Sequence, residues 1–169
     1  MDFIIELLVS DGCSSVWVIV DRFTKMAHFI PLKDGEKKAT DLVRIFLKEV
    51  WRFHGLPSNI VSDRNSRLTS TFWSSLVEAL DIRLKMSSPF HPQTDGQTER
   101  VNQTLECYLQ NYCNYEQDNW SKMLPMAEYA YNNSLTTATG MSPFFANFGF
   151  DPRTNWPIEA QVKNSASRN

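Results

Sequence analysis

SSPFHPQTDGQTERVNQTLE, residues 87–106, opens as a stiff loop and closes as a helix, and the chain is organised around the point where the two meet. Pro89 and Pro92 fix their own φ and push the residues before them out of helical geometry. Gly96 brings backbone freedom that other residues lack. From Thr98 the period changes. Val101, Leu105, Tyr108 and Leu109 fall on one stripe, and Glu99, Asn102, Gln103 and Glu106 on the opposite one, the two faces of an amphipathic helix. Glu99 sits in the first turn, behind a polar loop. A carboxylate there is placed to hold a cation or meet a substrate, or simply to complement the helix dipole. One glutamate does not choose between these.

The chain has 169 residues, 42% of them hydrophobic, enough apolar material for one domain with a buried core. Its formal net charge is −2. A self-sufficient nucleic-acid binder carries a basic excess, so work on DNA would need metal ions, a local patch or other domains to supply the attraction. The longest strongly apolar run, residues 16–20, is far too short to span a bilayer, and no membrane partner is expected. No basic segment precedes an apolar one in the manner of a secretory signal. Cys13, Cys107 and Cys113 form no CxxC pair, which argues for a reducing compartment. His28, His54 and His91 pair with no cysteine at zinc-ligand spacing and are read as structural.

Taken in order, residues 2–8 (DFIIELL) predict a strand, and Asp11 with Gly12 a turn. Residues 16–23 (VWVIVDRF) predict a central strand and 26–32 (MAHFIPL) a third, joined by a hairpin. In residues 39–53, Leu42, Val43, Phe46, Leu47 and Val50 recur at helical spacing, and Gly55 ends the helix. Residues 59–62 (NIVS) predict a strand leading into Asp63, residues 70–80 a helix, and 82–86 (IRLKM) a strand. The helix around Glu99 is expected to reach residue 114. Another helix covers 120–132, broken or begun near Pro125, and a short last one covers 142–148. A meander followed by helix, strand, helix, strand and a helical end predicts an α/β fold, a mixed five-stranded sheet flanked by helices. Residues 1–152 form the domain and 153–169 a tail or linker.

Three acids stand out. Asp2 lies in the first strand, Asp63 follows directly on NIVS, and Glu99 opens the later helix, with thirty-five residues (64–98) between the last two. An acid at the end of an apolar strand suits a site at a sheet's carboxyl edge.

Six stretches then fall in order along the chain, as far as about Pro152: Met1-Asp2-Phe3-Ile4, VDRFTKMAHFIPL from Val20, FHGLPSNIVSDR from Phe53, TSTFW from Thr69, HPQTDGQTERVNQTLE from His91, and YNNSLTTATGMSPF from Tyr131. Together they resemble the catalytic core of retroviral-type integrases, most closely those of gypsy-type LTR retrotransposons. The resemblance implies an RNase H-like fold and an acidic triad on Asp2, Asp63 and Glu99 that holds two Mg²⁺ or Mn²⁺ ions. It further implies DNA 3′-end processing and strand transfer into target DNA, a homodimer or higher oligomer to which residues 120–132 contribute, and passage through cytoplasmic particles to the nucleus. Hard divalent cations prefer carboxylate oxygens, and two ions about 3.5–4 Å apart stabilise both oxygens of an in-line displacement. Asp2 is assigned to bridge the ions, with Asp63 on one and Glu99 on the other. The nucleophile is then water or a DNA 3′-hydroxyl, so Ser66, Tyr108 and Tyr112 need no covalent role.

Weaker candidates surround the triad. By the resemblance, Gln93, Asp95 and Gly96 lie in a loop that meets the DNA end, although ordinary turn chemistry explains them equally well. Asn102, Gln103 and Glu106 share the face of Glu99 and are candidate DNA contacts or solvated surface; Glu106 would repel phosphate. Arg64 and Lys25 are candidate phosphate contacts or surface charge. Asp21 reads as a turn residue. Trp17, Trp51, Trp73 and the phenylalanines read as core. Asn65 stands where the family often has glycine, and Arg67-Leu68 where it has Gln-Phe; Asn tolerates the left-handed backbone, so that turn can survive. The chain begins one residue before Asp2, with no HHCC zinc domain ahead and no DNA-binding module behind, as expected of an excised core or a truncated element copy. Two other readings stand beside this one: an RNase H or transposase relative with the same acids, and an impaired or host-adopted core serving as a dimerisation or protein-interaction module.

Overall fold

The computed structural model describes residues 1–36, 38–57, 59–62, 83–86 and 96–153. The fold grows from β2 (Cys13–Val20), which lies between β1 (Asp2–Ile4) and β3 (Ala27–Lys33) in a three-stranded antiparallel meander. Val16, Trp17, Val18 and Ile19 are consecutive and all buried, the pattern of a strand covered on both faces. Pairing runs Asp2 to Val18, Phe3 to Trp17 and Ile4 to Val16 on one side, and Trp17 to Ile30 and Val20 to Ala27 on the other.

Period-two alternation sends these residues to two cores. On one face Phe3, Trp17, Ile30 and Leu32 meet Leu42, Val43, Phe46 and Val50 of the first helical segment. That segment is α1 (Ala39–Phe46), continued by a π-helical stretch (Leu47–Trp51) and one α turn (Arg52–His54). It stops at Gly55, whose φ of 72° suits a residue without a side chain. On the other face Ile4, Val16, Val18 and Phe29 meet Val101, Leu105 and Leu109 of α2 (Gly96–Tyr112) and Trp120, Leu124 and Ala127 of α3 (Trp120–Asn132). The result is three layers: helix, sheet, helix pair. Each large aliphatic buried this way contributes on the order of 1.5–3 kcal/mol.

Polar clamps lock the layers. Asn132 is fully buried at the end of α3, where its Oδ1 accepts from the Ala27 amide at 2.9 Å and its Nδ2 donates to the Ala27 carbonyl at 2.8 Å. Glu128, one turn earlier, accepts from the Phe29 amide at 2.8 Å and meets His28 Nδ1 at 3.1 Å. His28 Nε2 in turn lies 2.8 Å from His54 Nε2. The two histidines and Glu128 therefore join β3, the end of the first helical segment and α3. Pro125 lies inside α3 and does not begin it. The turn ahead of it is anchored from outside: the Trp120 indole donates to the Leu8 carbonyl at 2.6 Å, and the Ser121 amide to Ser10 Oγ at 3.2 Å. Helix α4 (Pro143–Phe148) is capped by Ser142, whose hydroxyl accepts from the Phe145 amide at 3.0 Å and bonds Asp151. Tyr129 donates to the Pro152 carbonyl at 2.8 Å and holds the end of the described chain.

The first strand stops at Ile4 rather than at residue 8. Glu6 has a φ of 63°, and Ile5, Leu8 and Val9 are exposed. The remaining described strands, β4 (Asn59–Ser62) and β5 (Arg83–Met86), form a parallel pair in register Asn59 to Arg83 and Ser62 to Met86. The five expected strands thus hydrogen-bond as three and two among the described residues, and one continuous sheet is not shown. Trp17 is core as expected, but Phe23, Trp51, Phe53, Phe145, Phe148 and Phe150 are exposed. The helix expected at 70–80, with Trp73, and the tail 154–169 lie outside the described residues. Cys13, Cys107 and Cys113 are free thiols. No helix among the described residues is long and apolar enough to cross a membrane.

Candidate active site

β1 runs antiparallel to β2, so its first residue, Asp2, lies at the end of the sheet where β2 gives way to the β2–β3 hairpin. Asp2 is half-buried; its Oδ1 accepts from the Phe3 amide at 2.8 Å. Its Oδ2 accepts from Asn102 Nδ2 at 2.6 Å, a bond across a hundred residues of chain. Asn102 belongs to α2, where Val101, Leu105 and Leu109 press the helix onto the sheet and so bring its polar edge up to β1.

Glu99 stands three residues before Asn102 in the first turn of α2 and is exposed. Side chains three apart on a helix are neighbours, about 5–6 Å between Cβ atoms. Asn102 therefore joins Asp2 and Glu99 into one patch. Asn102 Oδ1 is buried and has no hydrogen-bond partner among the described residues. The donor set on this patch is two carboxylates and one amide oxygen unmet among the described residues. These are hard oxygen ligands of the kind Mg²⁺ and Mn²⁺ take. Each Asp2 oxygen accepts one N–H, and a carboxylate has about four acceptor positions, so capacity for a cation remains.

Of the acids singled out by sequence, Asp2 is thus bonded to the helix that carries Glu99 in its first turn. Asp63 follows Ser62, the last residue of β4, and lies outside the described residues, as do Gln93 and Asp95. Among the described residues no three His, Cys, Asp or Glu side chains stand close enough to hold a metal. Gly96 opens α2, and Gln103 and Glu106 are exposed along it. Asn102 differs from the expected outward face: it is half-buried and turned to Asp2. Its place one turn after Glu99 was the available signal, but the partner that turns it inward is remote in sequence.

The comparisons with known proteins meet this geometry. The family described as Integrase core domain matches residues 1–92, more than half of the chain. The Transposon Tf2-3 and Tf2-4 polyproteins of Schizosaccharomyces pombe (strain 972 / ATCC 24843) are each 36% identical over 159 residues, 94% of this chain. The chain spans only 12% of the length of these curated relatives. The structure of the simian T-cell lymphotropic virus intasome in complex with PP2A regulatory subunit B56 gamma is similar with a TM-score of 0.70 and 19% identity, covering 92% of this chain and 55% of that one. The HTLV-2 integrase catalytic core domain in complex with magnesium is similar with a TM-score of 0.66 and 15% identity, covering 86% and 93%. At such identities the likeness is one of fold, the RNase H-like fold of integrase cores. The chain belongs to the integrase core domain family.

Proposed function

We propose that this chain is the catalytic core of a metal-dependent polynucleotidyl transferase that trims DNA 3′ ends and joins them to target DNA. The observation that carries this reading is the 2.6 Å bond from Asn102 to Asp2, which ties the acid of the first strand to the helix bearing Glu99. Asp2, Asp63 and Glu99 would hold two Mg²⁺ or Mn²⁺ ions. When bound, these supply Lewis-acid stabilisation of the attacking and leaving oxygens.

The chain's own residues orient and hold. Asn102 fixes one rotamer of the Asp2 carboxylate while leaving acceptor positions free, and the apolar stripe of α2 keeps Glu99 on a rigid support. The short β1 sets Asp2 by its pairing with Val18. No side chain is asked to form a covalent link with DNA. Gln93, Asp95, Gly96 and Gln103 are the proposed contacts to the DNA end. The wider reading takes β4 and β5 as the far side of one five-stranded sheet, α3 as part of a homodimer contact, and the nucleus as the place of action. The magnesium in the HTLV-2 core complex and the intasome among the similar structures support the metal and DNA parts of it.

Calorimetric titration of Mg²⁺ or Mn²⁺ into the chain and into Asp63→Asn tests the site. Binding by the parent and its loss in the variant is the expected result. Equal binding by both would place the metal elsewhere, and no binding by the parent would favour a core that serves as an interaction module.

A further inference from the structure

The β2–β3 hairpin carries a feature that the active site does not use. Phe23, at its tip, is 87% exposed, in a chain whose other β2 and β3 aromatics, Trp17 and Phe29, are buried. The tip is braced. Asp21 Oδ1 accepts from the amides of Phe23 at 2.6 Å and Thr24 at 3.1 Å, and Thr24 Oγ1 accepts from the Met26 amide at 3.2 Å. The Asp21 amide donates to the Met26 carbonyl at 2.8 Å, and the Lys25 amide to the Asp21 carbonyl at 3.0 Å. Lys25 takes a left-handed φ of 67°, and its ammonium bonds the Arg22 carbonyl. The acid of the tip is thus turned onto the backbone, while Arg22 and Lys25 flank the outward ring.

The tip also has a direction. Asp2 pairs with Val18, so the hairpin projects from the sheet end that carries Asp2. Five residues of strand reach no further than about 17 Å, which bounds the distance from that pair to Phe23. Between α2 and the end of α3 with residues 134–138 lies a recess of about 690 Å³, lined by Arg100, Thr104, Leu105 and Tyr131 and reached from the hairpin side by Val20 and Lys25. Arg100 is the neighbour of Glu99. Lys25 of the hairpin and Arg100 of α2 therefore line one recess large enough for a nucleotide, and the exposed Phe23 stands two residues from Lys25.

We propose that this hairpin is a nucleic-acid contact in its own right, with Phe23 stacking on a base of an unpaired DNA strand whose phosphates lie along Arg22, Lys25 and Arg100. The inference rests on the reading of the chain as a DNA-acting core. An aromatic face and cations with no groove-reading element suit single-stranded DNA, because every base offers a π-face and the phosphates need only charge. A braced turn backbone leaves only the side-chain torsions of Phe23 to be ordered on binding. The local charge answers the lack of basic excess in the chain as a whole.

The test is fluorescence anisotropy with a short labelled oligothymidylate, alone and annealed to its complement, at low ionic strength and with a chelator present. The single strand is expected to bind more tightly than the duplex. Phe23→Ala should weaken single-strand binding roughly tenfold, Phe23→Trp should restore it, and Arg100→Ala should lower the salt slope by about one counterion. Tyr115→Ala, which removes another fully exposed aromatic, should change nothing. The proposal is overturned by Phe23→Ala binding like the parent, by an equal loss in Tyr115→Ala, by a duplex that binds as well and depends equally on Phe23, or by a parent that binds no single strand. Because metal is chelated, each of these outcomes is independent of calorimetry at the acidic triad. A failed hairpin and a failed active site are therefore told apart.

Discussion

Two asparagines hold helices to the central sheet, and they do it differently. Asn132 spends its whole amide on Ala27, one donor and one acceptor matched to one backbone N–H and one C=O. Asn102 spends half: its Nδ2 reaches Asp2 while its buried Oδ1 meets nothing among the described residues. A side chain that only fastens the fold satisfies itself, since a buried polar atom without a partner costs about 1–3 kcal/mol. Under the function proposed above, the open acceptor of Asn102 beside a carboxylate is available to the site.

That contrast breaks most visibly at Asn132. Asn132→Ala leaves a buried N–H and C=O of Ala27 unmatched and should lower stability by about 2–4 kcal/mol, read as a shift of the urea midpoint at unchanged slope. Asn102→Ala should reverse the ranking of effects. Its stability loss should be the smaller of the two, while metal affinity measured by calorimetry falls about 10–100-fold, as when an outer partner of a ligating carboxylate is removed. If the two variants lose stability equally and Asn102→Ala binds metal like the parent, both asparagines are merely structural.

The histidine joint gives the smallest effect. His54 is exposed as a residue, but its ring is partly withdrawn from water, and this burial, with His28 beside it, holds its pKa below the ordinary 6.5. A depressed folded value means that the unfolded chain takes up the proton first. The stabilisation is therefore present in full above 6.5 and is lost as pH falls from there through the lowered folded value. Denaturation on either side of that pH should show the loss, and His54→Gln should flatten it. A slope unchanged by the substitution would assign it to other groups.

Much of the scaffold was legible because it is written in local periodicity. The NIVS strand, the helix at 120–132 and the stop at Gly55 follow from alternation, apolar spacing and one residue's backbone freedom. The first strand was overestimated because apolar character does not reveal that Glu6 turns left-handed and leaves Leu8 and Val9 in water. Phe23 was read as core because an aromatic next to a strand usually is, whereas the braced turn carries it outward. Asn102 was read as outward because a helical wheel knows only its own helix, and Asp2 stands a hundred residues away. Asp2 and Glu99 are singled out by type and spacing; the Asn102 bond that ties the strand of one to the helix of the other is not legible that way.

The pairing of β1 has a consequence for how accurately this chemistry can be set. Successive residues of a strand point to opposite faces, so a slip of one position would carry Asp2 into the core and bring Met1 or Phe3 to the patch. Phe3 lies parallel to Trp17 at 5.6 Å between ring centres, and Ile4 is sunk in the opposite core. Two apolar side chains facing opposite ways leave a three-residue strand one admissible register. The aim of the Asp2 carboxylate is thus set by how well a phenylalanine fits a tryptophan.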